Sequence, residues 1–239
     1  MNDIGIVDVY MNMLPVGRIA LTPDGLCGFE YESEYLKTGK SISPYYLPLQ
    51  SGLIVATRYP LNGNFGVFDD SLPDGWGNLL LDRFLQEKGI NPYKLTVLQR
   101  LSLIGSTGRG ALEYKPDKSI ATDNEFLDFD ILATEAEKIL SGRENEGSID
   151  LLYKCGGSSG GVQPKVFAKI KGREWLVKFK ATSDLNNVGE VEYNYSLLAK
   201  ECGIQMPETS LFEGKYFGVE RFDRTPERKG SYCERRWSP

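Results

Sequence analysis

Three features between residues 156 and 192 could together hold a phosphate. The first is the run Gly156-Gly157-Ser158-Ser159-Gly160-Gly161. Glycine lets backbone N–H groups approach an anion closely, and a concave run of such groups holds negative charge. Taken alone, a Gly-Ser run is more often a plain loop. The second feature is Lys178, inside the apolar stretch Trp175-Leu176-Val177-Lys178-Phe179. An ammonium among apolar neighbours must reach out to solvent or find an anion. Taken alone, it reads as an exposed residue of an alternating strand, and Lys165 and Lys180 compete for the same role. The third is Glu192, near the start of a helical stretch. A carboxylate there can pair with the lysine and fix it over a phosphate, although acidic residues favour a first helical turn for dipole reasons alone. The order and spacing of the three, rather than any one, point to ATP.

Those residues need elements to position them. From residue 150 the pattern reads strand, Gly-rich turn, strand, strand, helix, strand. Val162 to Ile170 alternates as a strand, Lys171-Gly172 makes a hairpin turn, and Trp175 to Phe179 returns. Glu190 to Cys202 has helical spacing with Gly203 past its end, and Thr209 to Phe212 and Tyr216 to Arg221 form a hairpin about Glu213-Gly214. With these elements the three features match the small lobe of a protein kinase, which places a lysine on its return strand. Upstream, Ile6–Tyr10, Val16–Leu21 and Gly28–Tyr31 read as strands of a small antiparallel sheet, with a Pro23-Asp24-Gly25 turn. Phe68, Leu72, Trp76, Leu79, Leu80, Phe84 and Leu85 recur at helical spacing, with Asp74 as a cap and Gly89 past the end. A second helix is expected near 94–103 and a third over 128–141, with a polar linker at 116–127. Trp76 and its leucines read as core. Asp69, Asp70 and Asp74 are explained better by helix-start chemistry than by a cation. The fold class expected is α+β.

Composition removes other chemistries. The 239 residues contain no histidine, which excludes Ser-His-Asp triads, Cys-His dyads and histidine-ligated metals. Cys27, Cys155, Cys202 and Cys233 are far apart, without the spacing of a zinc site or a disulfide framework. With a net charge of -5, the chain is a poor candidate for binding nucleic acid by itself. No apolar run approaches the ~18 residues of a membrane span. Residues 1–10 do not have the pattern of a signal peptide. A cytoplasmic protein is expected.

At this point the residues carry a family resemblance. The chain resembles HipA, the kinase toxin of bacterial toxin–antitoxin systems. The first half does so through Val16-Gly17-Arg18-Ile19, GVFDDSLPDGWGNLLLDR (66–83) and LIGSTGRGALEYKP (103–116). The second half does so through SSGGVQPK (158–165), WLVKF (175–179), EYNYSLLAKECGI (192–204) and VERFDR (219–224). The resemblance implies a HipA-like N-terminal subdomain over residues 1–116, a linker with a short helix over 117–150, an ATP-binding N-lobe over 151–224 and a tail over 225–239. It implies that Ser159, Gly160, Gly161, Val162, Gln163 and Lys165 belong to a loop over ATP. Ser158 falls where the family autophosphorylates, which would switch the kinase off by adding charge to a phosphate-binding loop. Lys178 would contact the phosphates with Glu192 as its partner. Glu220 and Phe222 would lie at the hinge and touch adenine through backbone groups. ATP and magnesium are the implied cofactors. The implied partners are a helix-turn-helix antitoxin or a chain carrying the complementary C-lobe.

The family continues into a helical C-lobe that supplies the catalytic Asp and Asn and the magnesium-binding Asp. From Thr225 the tail shows no family pattern to the eye, and is expected to be truncated or frameshifted. The chain is therefore expected to be inactive alone. The alternative is a non-catalytic module that binds an antitoxin or a complementary chain.

Overall fold

The computed structural model describes residues 4–120, 127–143, 148–156, 159–225 and 228–229. The architecture is α+β, as expected, and the chain packs as two compact units. Described residues 4–72 and 90–120 belong to the first. Residues 73–89 and 127–224 belong to the second. The segment 73–89, which the sequence reading kept with residues 1–116, thus packs with the Gly-rich half.

The first unit is built on strands β1 (Ile6–Met11), β2 (Leu14–Leu21) and β3 (Cys27–Tyr31). Helix α1 (Ser33–Leu36), strand β4 (Ile54–Val55) and the short helix α2 (Gly66–Asp69) follow. The next element, α3 (Gly75–Glu87), lies in the second unit. The chain then returns through a 3-10 turn at Pro92–Lys94 to helix α4 (Val97–Ile104) and strand β5 (Leu112–Lys115). The sheet is antiparallel, ordered β4-β3-β2-β1-β5. Two of its strands were not expected: β4 has only two residues, and β5 lies inside the 103–116 motif. The second helix starts three residues later than expected because Thr96 caps it. The Gln99 N–H donates to the Thr96 hydroxyl at 3.2 Å, and the Thr96 N–H donates to the Gln99 side chain at 2.9 Å, a capping box. The core of this unit is aromatic. Phe29 meets Tyr31 edge-on at 4.9 Å and Phe68 at 5.3 Å, and Tyr114 closes the cluster against Phe68. All four are buried.

The second unit contains α5 (Phe129–Leu140), α6 (Ser148–Gly156), β6 (Lys165–Ile170), β7 (Arg173–Lys178), α7 (Val188–Glu201), β8 (Thr209–Phe212) and β9 (Tyr216–Glu220). Its sheet is antiparallel in the order β6-β7-β9-β8. Both expected hairpin turns are present: Lys171-Gly172 and Glu213-Gly214 all have positive φ, the geometry of a two-residue hairpin loop. One expectation is overturned. The segment read as a strand before the Gly-rich turn is helix α6. Its buried residues Ile149, Leu152 and Tyr153 stand at helical spacing and pack on α3, where Phe84 stacks on Tyr153 at 4.4 Å. Strand β6 begins at Lys165 and not at Val162, because Pro164 has no N–H for a ladder and the residues before it are held elsewhere. Three helices beyond α7 therefore accompany this sheet.

Candidate functional site

Strand alternation sets where Lys178 points. On β7, Trp175 and Val177 are buried on one face, while Leu176 and Lys178 lie half-buried on the other. Lys178 Nζ stands 2.9 Å from Glu192 Oε2 and 5.5 Å from the centroid of the Phe217 ring. Its side chain is 28% exposed and that of Glu192 27%, so the pair is partly screened from water while the ammonium keeps donor capacity. Helix α7 brings Glu192 there by packing its first turn on the start of β9. A methyl group on Gly189 would overlap the carbonyl oxygen of Lys215. Glycine is what allows the approach, and Glu192 follows three residues later on the same face. Lower down, Ser196 is buried and bridges to the Thr209 hydroxyl on β8 at 2.9 Å.

The ion pair borders a cavity of about 460 Å³. Gln163, Lys180 and the first turn of α7 line it beside Lys178 and Glu192, and Asp130 and Glu137 of α5 line the opposite wall. Asp130 is neutralised: Lys215 Nζ lies 2.6 Å from it and the Tyr216 hydroxyl donates to the same oxygen. The Lys215 ammonium, joined by Tyr216, holds the Asp130 carboxyl below its usual range. Burial and the facing carboxylate push the Tyr216 hydroxyl up.

The expected residues are only partly gathered here. Gln163, Lys178 and Glu192 share the cavity. Ser159, Gly160, Gly161, Val162 and Lys165 form the neighbouring loop and are not among its lining. Lys165 is buried and its ammonium donates to the Gly160 carbonyl. It is therefore a brace within the loop rather than a rival to Lys178. Lys180 donates to Asn186 at 3.0 Å. The Ser159 hydroxyl is buried with no hydrogen-bond partner among the described residues. Glu220 and Phe222 sit at the far end of the sheet. Glu220 pairs across β7 with Trp175 and takes an ion pair from Arg173 at 3.2 Å, and Phe222 is 67% exposed. The Glu220 N–H already donates to the Glu208 carbonyl. Ser158 lies outside the described residues, as does the tail from 230.

The sequence reading missed what holds the loop. Asp74, expected to cap α3, makes no side-chain cap bond. Its carboxylate accepts the Gly161 N–H instead, while the Trp76 N–H donates to the Gly161 carbonyl at 2.8 Å. The buried Trp76 indole donates to the Lys165 carbonyl at 3.2 Å. The signal was present as the Asp74-Gly75-Trp76 run inside the 66–83 motif, but its partner is 87 positions away.

Comparison with known proteins identifies the family. The family model described as the HipA N-terminal domain matches residues 7–115, and that described as the HipA-like C-terminal domain matches 157–236. The chain belongs to the HipA-like toxin–antitoxin family. HipA of Shewanella oneidensis MR-1, solved in a complex with HipB and its operator DNA, shares this fold at 20% identity and a TM-score of 0.53. The alignment covers 94% of this HipA-like chain and 53% of that one, so the chain spans about half the length of the HipA it matches. The C-terminal match corrects one expectation: the family pattern does not stop at Arg224 but runs on to residue 236.

Among the described residues, no group of three or more Cys, Asp or Glu side chains comes together as a metal site. The fit to a nucleotide is better. A partly exposed ammonium fixed by a carboxylate on the wall of a cavity is a donor suited to phosphate oxygens. No helix is long and apolar enough to cross a membrane.

Proposed function

We propose that the second unit of this HipA-like chain is the ATP-binding part of a serine/threonine kinase. The observation that carries this reading is the Lys178–Glu192 ion pair, joining a central strand to the helix beside it at 2.9 Å. Lys178 would hold phosphate oxygens, and Glu192 would keep its ammonium from swinging toward solvent. Gln163, which lines the same cavity, would face the same phosphates, with Leu176, Glu220 and Phe222 on the side of the base. ATP, entering with magnesium, would supply the phosphoryl group.

Calorimetric titration of the chain with ATP and magnesium tests this. Binding should be measurable in the wild type and fall at least about tenfold, ~1.4 kcal/mol, in Lys178→Ala. No heat from the wild type, or equal affinity in the variant, would sink the reading.

A second reading concerns partners. The S. oneidensis HipA was solved with HipB and operator DNA, and by analogy this chain would bind a helix-turn-helix antitoxin. Co-expression with a helix-turn-helix antitoxin of this family should yield a complex that survives gel filtration. Separate elution of the two would remove this reading without touching the first.

A further inference from the structure

We infer that Asp74 is the positioning residue of the glycine loop, and that it acts on nucleotide affinity through Gly161 rather than by touching the nucleotide. The inference rests on the ATP-binding reading above. The start of α3 and the loop cap each other. Gly161 donates its N–H to the Asp74 carboxylate and receives the Trp76 N–H at 2.8 Å on its own carbonyl. Gly161 thus has both its backbone groups spent on one helix terminus. The Trp76 indole grips the Lys165 carbonyl, four residues further on. The Lys165 ammonium closes back on Gly160.

Close approach is built in on both sides. A methyl group on Gly75 would overlap the Gly161 carbonyl, and Gly161 itself has φ of +78°. Downstream, the Phe179 N–H donates to the Pro164 carbonyl at 2.8 Å, tying the end of the loop to the residue after Lys178. The loop is therefore fixed at two places, by α3 at Gly161 and by the end of β7 at Pro164. Between them lie Val162, which is 80% exposed, and Gln163, which reaches the cavity.

A loop fixed in advance loses less freedom when an anion binds, so releasing it should weaken binding. Of the two fixings, that at Gly161 is the one to which an exposed side chain contributes. Asp74 lies at the surface, so it can be truncated without opening the core. An asparagine there keeps an oxygen that accepts the Gly161 N–H and loses only the charge.

The test uses the full chain and two variants. In Asp74→Ala, amide exchange across 159–163 should quicken at least about tenfold, and ATP–magnesium affinity should fall about three- to tenfold. In Asp74→Asn both should stay within about twofold of wild type. Unchanged exchange in Asp74→Ala overturns the inference whether or not the chain binds ATP. Tighter binding in Asp74→Ala also overturns it, because the carboxylate would then be a competitor of phosphate. Equal loss in both variants would show that charge, not the held loop, matters, and would overturn it too. If the wild type binds no ATP, the role in affinity falls with the ATP-binding reading, and exchange alone still shows whether Asp74 holds the loop.

Discussion

The two sheets of this chain use their faces differently. The first unit packs Phe29, Tyr31, Phe68 and Tyr114 into a closed aromatic core. One polar pair stands within it, where the Tyr114 hydroxyl donates to Ser71. The sheet of the second unit buries Val166, Ala168, Trp175 and Val177 on one face and leaves the other to an ion pair and a cavity. Within the second unit the helices differ in turn. Helix α3 buries six side chains or glycines among its 13 residues, and α7 buries only Gly189 and Ser196 among its 14. A helix held by so little apolar surface depends on the few places where it fits closely. In α7 those places also carry the site: Gly189 sets the approach and Glu192 takes the lysine. Stability and ligand chemistry are thus separate in the first sheet and joined in the second.

Three substitutions would break or sharpen that contrast. The largest effect is expected from Phe68→Ala, which empties the centre of the aromatic core and should cost about 3–5 kcal/mol in denaturant unfolding. A loss below ~1 kcal/mol would mean that the core is not the closed cluster described. Next comes Gly189→Ala, whose methyl group must push α7 off the Lys215 carbonyl. Its cost should be about 1–3 kcal/mol, with a loss of ATP affinity in the same protein because Glu192 moves from Lys178. A stability loss with unaltered affinity would uncouple the two roles assigned to α7. The smallest effect is expected from Asp130→Asn on the cavity wall. The folded carboxyl lies below its ordinary value, so the wild type should hold its advantage at neutral pH. It should lose that advantage only as pH falls below the ordinary carboxylate range and through the lowered value. Thermal midpoints of both proteins from pH 7 to pH 3 would show this, and a gap that widens in acid would contradict it.

Much of the second sheet was legible because its signals are local. Lys171-Gly172 and Glu213-Gly214 announce hairpins, and the strands on either side alternate. The kinase-like order of lysine strand and acidic helix pairs Lys178 with Glu192, and they meet. The failures have physical causes. Helix α6 carries the apolar residues Ile149, Leu151, Leu152 and Tyr153, too short a run for its period to be told from a strand. Packing on α3 and α5 decides it. Asp74 has every local feature of a helix cap, yet its carboxylate serves a glycine far along the chain. No local pattern reports a bond of that kind. Glu220 and Phe222 rest on the family resemblance alone, with no local signal of their own.

The excursion of residues 73–89 has a consequence during synthesis. Helix α3 leaves the ribosome with Trp76, Leu80, Leu81, Phe84 and Leu85 destined for burial. Its packing partner α6 begins about sixty residues later. At translation rates of about 5–20 residues per second, that apolar stripe waits roughly 3–12 s without its own neighbour. The surrounding 4–72 and 90–120 segments meanwhile become available to fold on each other. The nascent chain thus passes through a stage in which one unit can close while a helix belonging to the other is still exposed, a natural point for a chaperone to engage.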